Sequence, residues 1–306
     1  MKISVITPVY NGMPQLPRCI GSVKSQLNNN IEIEHIIQDG LSLDNTVNFL
    51  SEFDDLNKNN KNHKSYYFHY ESNKDKGMYD AINKGWEKAT GDIYCWLNHD
   101  EQYLPETLLK VTEHFKKNPD VDVIYGNMIV VDPDGNPLAA RREIPLRSSY
   151  VKHDFLYAIS CTIFFRANLF DEGILRFNDN LICAGDLDLM LKIMNSGKKI
   201  EHINRYFSLF GVDGSNLSVT NRNILDNEIE KIQRINGASE YKIIRLFYKI
   251  LRRMERLFKG CYKMDSVLFK YILNENSDYV YRSGKNISFR FTYDHVNKIM
   301  NKSNTL

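Results

Sequence analysis

Two kinds of segment, which differ in the spacing of their apolar residues, alternate along the first hundred positions of the chain. Nearly continuous apolar runs, typical of buried strands, occur at 2–9, 31–38, 66–71 and 93–97. The stretches between them, such as 78–89, carry apolar residues at the three-to-four-residue spacing of a helix. Strands and helices that alternate in this way form βαβ units. The pattern therefore predicts an α/β fold with a mostly parallel sheet flanked by helices on both faces.

The next hundred residues have a mixed pattern. A helix is predicted at 105–118, then a long strand at 121–131 that runs into the turn sequence Asp-Pro-Asp-Gly at 132–135. A further strand at 159–165 and an amphipathic helix at 186–195 follow. Because the turn leads into a hairpin return, we expect an antiparallel element in this part of the sheet.

Composition and charge narrow the class of protein. The chain has 306 residues, 42% of them hydrophobic and 25% charged, as in an ordinary globular protein. Its formal net charge of +2 is too small to attract nucleic acid to the protein surface as a whole. The five cysteines form no Cys-x-x-Cys pair, which favours free thiols in a reducing cytosol. The sequence enters a strand directly after Met1 and lacks a run of about 18 apolar residues, so we expect a cytoplasmic protein without a secretory signal or spanning helix.

Positive charge is concentrated in the segment 241–263, which holds eight Lys and Arg residues against Glu255 alone. Apolar residues at helical spacing form a stripe opposite these cations. A cationic amphipathic helix of this kind binds anionic membrane surfaces. The alternative is that the stripe packs on the rest of the chain or on a second copy, giving a homo-oligomer. No RNA-binding module accompanies the charge, so we expect no nucleic-acid partner.

The strand at 93–97 ends abruptly in Asn98, His99, Asp100 and Glu101. Ligands bind at the carboxyl ends of strands in open α/β sheets, and carboxylates placed there can hold a hard divalent cation. The alternative for Asp100 is a plain polar turn that caps the following helix. No Gly-x-Gly-x-x-Gly follows the first strand, which argues against a dinucleotide site.

Six segments in this order resemble glycosyltransferase family 2, the inverting nucleotide-sugar transferases with a GT-A fold. They are 3–11, 39–46, 75–85, 89–92, 97–101 and 184–192. The resemblance implies a Rossmann-like GT-A catalytic domain at 1–220, with a nucleotide-binding half at 1–100 and an acceptor half at 101–220. Residues 221–306 would form a helical C-terminal extension. The block 76–85 resembles most the transferases of bacterial O-antigen and other surface polysaccharides.

The resemblance also assigns roles at the strand end and at the later helix. The family's metal-binding Asp-x-Asp is here Asn98-His99-Asp100, so Asp100 is the expected ligand of Mg²⁺ or Mn²⁺. Asn98 and His99 are expected to contact the nucleotide-sugar donor. Asp186 matches the family's catalytic base, although the usual Glu-Asp pair is here Gly185-Asp186. The alternative for Asp186 is an acid stabilised by the helix N-terminus.

The nucleotide is expected at the ends of the first two strands. By the resemblance, Thr7, Pro8, Val9 and Tyr10 hold uridine, and Asp39 accepts the uracil imide proton; the alternative for Asp39 is a turn residue before Gly40. Lys76, Asp80 and Asn83 are assigned to the diphosphate side. Asp80 has an alternative as an ion-pair partner of a neighbouring lysine. Ser160-Cys161 replaces a His-Gln that often precedes the strand at 162–166 in related transferases.

The sequence therefore predicts a metal-dependent inverting glycosyltransferase. Its donor would be a UDP-sugar, and its acceptor a saccharide or a polyprenyl-diphosphate-linked saccharide. The chain would be peripheral on the cytoplasmic face of a bacterial inner membrane. Two alternatives stay open: a nucleotide-sugar-binding protein with weakened catalysis, motivated by Asn98 and Gly185, and a sugar-phosphate nucleotidyltransferase.

Overall fold

Nine strands in the described part of the chain form one mixed sheet. The computed structural model describes residues 1–59, 65–212 and 216–262, and the backbone of 268–272 and 279–283. The strands are β1 (Lys2–Val9), β2 (Glu32–Asp39), β3 (Tyr66–Ser72), β4 (Ile93–Trp96), β5 (Gln102–Tyr103), β6 (Val123–Val131), β7 (Pro137–Arg141), β8 (Ile163–Arg166) and β9 (Ile200–Gly211). Their order is β3-β2-β1-β4-β8-β6-β9-β5, with β7 paired to β6.

Helices follow most of the strands. They are α1 (Leu16–Lys24), α2 (Thr46–Asn59), α3 (Met78–Trp86), α4 (Thr107–Lys117), α5 (Ser148–His153), α6 (Asn168–Asp171), α7 (Gly185–Asn195), α8 (Leu217–Thr220), α9 (Arg222–Ile235) and α10 (Lys242–Phe258). A separate antiparallel pair, β10 (Leu268–Ile272) and β11 (Tyr279–Ser283), lies beyond them.

The register of the parallel strands brings three strand ends to one edge of the sheet. Val9 at the end of β1 pairs with Asp39 at the end of β2, and Ile6 pairs with Trp96 at the end of β4. The loops that carry the polar residues after these strands therefore emerge side by side. This edge is where an open α/β sheet binds its ligands.

The predicted α/β class is confirmed, and so is the antiparallel part. β8 runs antiparallel to both β4 and β6, and β7 returns antiparallel along β6. The predicted strand at 159–165 begins only at Ile163, because 160–162 form a 3₁₀ turn. β9 was not predicted, since charged and amide side chains interrupt its apolar pattern.

Two apolar clusters cover the two faces of the sheet. One packs α1, α2 and α4 on β1, β2 and β4, and the other packs α3 and α7 on the opposite face. All five cysteines are unpaired, in agreement with the expected free thiols. A third cluster joins α5, α7 and α9 beneath α10.

The predicted C-terminal extension contains α9 and α10. The segment 241–263 is helical as predicted over Lys242–Phe258, whereas Lys263 lies outside the described residues, as does most of 264–306. In the part of the chain that the structure describes, every helix is too short or too polar to cross a bilayer.

Candidate active site

A cleft of about 1410 Å³ opens at the sheet edge where β1, β2 and β4 end. Loops after these strands, the start of α3, the residues before β8 and the start of α7 form its walls. Seven residues that the sequence assigned to the site line this cleft: Pro8, Val9, Tyr10, Asn98, His99, Asp100 and Asp186.

Asp100 and Asp186 therefore line one cavity although they come from distant parts of the chain. Asp100 follows β4, and Asp186 is the second residue of α7. The Asp100 carboxyl follows a strand, and the Asp186 carboxyl lies in the first turn of a helix. The arrangement places two acids around a common space.

Glu101 braces the loop that carries Asp100. The backbone N–H of Asn98 donates to Glu101 Oε2 over 2.8 Å, and Ser160 Oγ donates to Glu101 Oε1 over 3.1 Å. Burial, and then the nearby Asp100 charge, raises the pKa of Glu101 above its ordinary value. On the other side, the backbone oxygen of Asp100 packs so closely on Gly211 that a Cβ there would lie 2.6 Å from it. The loop is thus held by contacts from two remote segments.

The loop before α7 is held by an acid from α9. Glu228 accepts hydrogen bonds from the backbone N–H groups of Ile182, Cys183 and Ala184, over 2.7, 2.9 and 2.9 Å. Ala184, the residue that precedes the helix, has no side chain with which to cap it. The Glu228 carboxylate takes the N–H groups that this loop exposes, and so sets the position from which α7 and Asp186 begin.

Asp186 occupies a poorly solvated position. Burial raises its pKa to about 7, and a hydrogen bond from Tyr79 opposes that rise. Among the described residues Asp186 Oδ1 has no hydrogen-bond partner. A carboxylate with a pKa near neutrality can take up and release a proton at physiological pH, which suits a general base.

Asp39 ends β2 beside the cleft, and its carboxylate is engaged by neighbouring residues. Its carboxylate accepts hydrogen bonds from the hydroxyls of Ser42 and Ser72 and from the Ser42 backbone N–H. The side chain is buried, while Gly40 beside it lines the cleft. Tyr10, which lines the cleft after β1, is 55% exposed.

Two residues assigned to the donor lie in the protein interior instead. Thr7 is fully buried and its hydroxyl contacts His35 Nε2 over 3.0 Å. Asn83 Nδ2 donates to the Phe177 carbonyl, and its Oδ1 accepts from the Phe177 N–H, each over 2.9 Å. Neither side chain lines the cleft. Both have structural partners that use their polar atoms.

Lys76 and Asp80 form surface ion pairs outside the cleft lining. Lys76 Nζ contacts Asp179 Oδ2 over 2.7 Å, and Asp80 Oδ2 contacts Lys84 Nζ over 2.9 Å. Asp80 also accepts the Lys76 backbone N–H over 3.0 Å. Asp80 thus forms the ion pair with a neighbouring lysine that was given above as the alternative to a role at the diphosphate.

Sequence reasoning missed Asp75 and Tyr79, which both line the cleft. A Cβ on Gly40 would lie 2.7 Å from Asp75 Oδ2, so the Asp75 carboxyl packs directly on the turn after β2. Burial raises the pKa of Asp75. Both residues stand in the segment 75–85, whose likeness to the family was the signal that could have found them.

The family follows from comparison with known proteins. The model of a family described as glycosyl transferase family 2 matches residues 4–174, more than half of the chain. The chain belongs to glycosyl transferase family 2. The matched range contains most of β1, all of β2 to β8, and the loop with Asp100, so it covers most of the described sheet.

The alignments with curated relatives of this family 2 member cover only part of each relative. An uncharacterized glycosyltransferase of Rickettsia felis is 30% identical over 212 residues, which are 63% of this chain and 31% of that protein. A PGL/p-HBAD biosynthesis glycosyltransferase of Mycobacterium bovis is 30% identical over 129 residues, 42% of this chain and 46% of its own. The chain thus spans less than half the length of these relatives.

Solved structures share the GT-A fold of the family 2 domain. TarS 1-349 of S. aureus in complex with UDP-GlcNAc has a TM-score of 0.58 at 15% identity, covering 94% of this chain and 100% of its own. The mannosyltransferase PcManGT of Pyrobaculum calidifontis, in complex with GDP-Man and Mn²⁺, has a TM-score of 0.54 at 14% identity, covering 84% and 75%. The predicted fold and family are confirmed.

Proposed function

We propose that the chain transfers a sugar from a UDP-sugar to a hydroxyl of a saccharide acceptor, with inversion at the sugar C1. One observation supports this above the others: Asp100 and Asp186 line the same cleft at the carboxyl edge of the sheet. Asp100 would face the departing diphosphate and Asp186 the incoming alcohol. The nucleotide would lie over Pro8, Val9 and Tyr10.

Asp186 would act as the general base. Its carboxylate takes the proton of the acceptor hydroxyl while the hydroxyl oxygen forms a bond to C1 of the sugar. The bond from C1 to the diphosphate oxygen breaks on the opposite face, and the nucleoside diphosphate leaves with that electron pair. One displacement of this kind inverts the anomeric centre.

The residues at the diphosphate side suit a hard cation in kind but supply few ligands. No group of three or more His, Cys, Asp or Glu is arranged for a metal among the residues that the structure describes. The Asp100 carboxylate and the Asn98 amide oxygen, which lacks a hydrogen-bond partner among described atoms, are donors of the type that Mg²⁺ and Mn²⁺ prefer. Together with diphosphate oxygens of the nucleotide sugar, these two residues would hold the ion. The ion would supply positive charge that stabilises the leaving diphosphate.

The opposite wall of the cleft favours an acceptor with an apolar part. Its lining includes seven apolar side chains: Phe155, Leu156, Ile159, Ile182, Leu187, Leu225 and Ile229. A free saccharide would leave this surface unused, whereas a polyprenyl-diphosphate-linked saccharide would cover it. We therefore propose a lipid-linked acceptor, in the synthesis of a bacterial surface polysaccharide such as O-antigen or capsule.

The outward side of α10 supports placement at a membrane. The helix buries Arg252 and Arg256 against the catalytic domain, whereas its apolar residues are exposed. The exposed apolar residues are Ile243, Ile244, Leu246, Phe247, Ile250, Leu251, Met254, Leu257 and Phe258. Lys242, Lys249 and Arg253 are also exposed, and the helical repeat places them along one edge of this face. An apolar face with a basic margin fits an anionic lipid surface, and we propose peripheral binding to the cytoplasmic leaflet.

Turnover of a donor panel tests the activity. The purified chain would be mixed with UDP-, GDP-, dTDP- and CMP-sugars, Mg²⁺ or Mn²⁺, and a polyprenyl-diphosphate-linked saccharide. We expect acceptor-dependent release of UDP. Binding of UDP without turnover of any donor would favour the nucleotide-sugar-binding protein. Pyrophosphate release from a nucleoside triphosphate and a sugar phosphate would favour the nucleotidyltransferase.

A further inference from the structure

Gly185 stands directly before the proposed base, and space rather than backbone conformation requires a glycine there. A Cβ built on Gly185 would lie 2.6 Å from two ring carbons of Tyr79. Carbon atoms do not approach so closely without displacement of one of them. The family resemblance places a glutamate at this position, and its side chain could not enter while the Tyr79 ring is present.

The Tyr79 ring is itself held in place by packing. The side chain is 2% exposed, and its ring centroid lies 4.8 Å from that of Phe177. Phe177 stacks on Trp86 at 5.1 Å with an angle of 8° between the planes. Two hydrogen bonds between the Asn83 side chain and the Phe177 backbone, one donated by Asn83 Nδ2 and one accepted by its Oδ1, anchor this stack. Tyr79 thus belongs to a rigid aromatic cluster rather than to a mobile cleft wall.

The hydroxyl of Tyr79 reaches the start of α7. It hydrogen-bonds to the Asp186 carboxyl and to the backbone N–H groups of Gly185 and Asp186. Because Ala184 offers no side-chain cap, the hydroxyl meets N–H groups that the helix start leaves unsatisfied.

We propose that Tyr79 is the positioning residue of Asp186, and that the glycine at 185 exists to admit its ring. The tyrosine hydroxyl holds the Asp186 carboxyl by a hydrogen bond at the start of α7 and so fixes its orientation. This inference rests on the proposed role of Asp186 as base. The other titratable groups that act on the pair are Glu101 and Cys183.

Tyr79→Phe removes the hydroxyl and keeps the ring. We expect kcat to fall about tenfold or more, with the donor KM unchanged, since donor contacts stay intact. In the pH profile of kcat, the acidic limb should shift to higher pH by roughly 1 unit, because the lost hydrogen bond favoured the ionised carboxylate. Tyr94→Phe is the matched control: its hydroxyl donates to the Ala89 carbonyl over 2.7 Å, away from the cleft, and its loss should leave the profile unchanged. A Tyr79→Phe enzyme with wild-type kcat and profile would overturn the proposal.

A second readout does not need turnover. The free energy of unfolding would be measured against pH for wild type, Tyr79→Phe, Asp186→Asn and the double variant. We expect the effect of Tyr79→Phe to depend on pH only when Asp186 is present; additive effects at every pH would refute the pairing. If the wild-type chain turns over no donor yet shows this coupling, the proposed function fails and the pairing stands. Gly185→Ala should lower the melting temperature in wild type and do so much less in Tyr79→Ala.

Discussion

Arg147 and Glu255 form a two-pronged ion pair, in which Arg147 Nε donates to Glu255 Oε2 and Nη2 donates to Oε1, each over 2.7 Å. The pair joins the residue before α5 to α10. Arg252 Nη2 adds a second link, to Asp154 Oδ2 over 2.7 Å. α10 is therefore attached by its charged side, the reverse of the usual amphipathic helix on a soluble domain. Its apolar side is exposed.

The exposed face of α10 should bind anionic vesicles. Replacing Phe247 and Ile250 by Glu puts two charges at the centre of this face, and we expect the chain to lose co-sedimentation with phosphatidylglycerol vesicles. Both side chains are exposed, so the melting temperature should change little. Vesicle flotation at low and high salt provides the measurement.

Leu56→Glu is the control for that experiment, because Leu56 is an exposed apolar residue on another helix, α2. It should leave vesicle binding unchanged. If the wild-type chain ignores vesicles but dimerises in solution, and the Phe247 and Ile250 changes abolish the dimer, the face joins two copies of the chain and the membrane proposal is wrong.

The buried ion pair of Arg252 should carry much of the attachment of α10. The two side chains are only 4% and 10% exposed, and the guanidinium also covers the Phe155 ring at 4.3 Å. Arg252→Ala would leave Asp154 buried and unpaired, at a cost of about 3 kcal/mol in the free energy of unfolding. Urea denaturation would measure it. Arg253→Ala, one residue on and exposed, should cost less than about 0.5 kcal/mol; equal losses would show that the pair does not hold the helix.

The raised pKa of Asp186 predicts how stability changes with pH. Its carboxyl has a pKa of about 7 in the folded chain against 3.8 ordinarily, so the folded state binds its proton more tightly. That contribution is complete at low pH and is lost as pH rises through about 7. Between pH 5 and 8, Asp186→Asn should therefore gain roughly 2 kcal/mol of stability relative to wild type. Asp55→Asn, an exposed acid on α2, should show no such trend; a gain that does not vary with pH would contradict the assignment.

The first hundred residues of the fold were predictable because their signals are local. β1 is a continuous apolar run that the structure begins and ends where predicted, at Lys2 and Val9. β9 was not predictable by the same means. Its centre is exposed and polar at Asn204 and Arg205, and its place in the sheet depends on pairing with β6.

The site was predictable in part, for a related reason. Family motifs indicated Asp100 and Asp186, and the fold brings both to the cleft. A motif does not say which way each side chain points within a strand or helix. Thr7 and Asn83 lie in matching motif positions, yet both point into the core. For α10 likewise, the sequence shows an amphipathic helix but not which face docks.

The turnover of Asp186→Asn, measured together with its affinity for UDP, tests the central claim most directly. Asp188→Asn is the matched control, because Asp188 stands on the same helix but does not line the cleft. We predict that Asp186→Asn lowers kcat by about 100-fold or more while the Kd for UDP stays within about twofold, since a general base contributes to the chemical step and not to nucleotide binding. Asp188→Asn should keep both values near wild type. An Asp186→Asn enzyme that turns over at the wild-type rate would contradict the account.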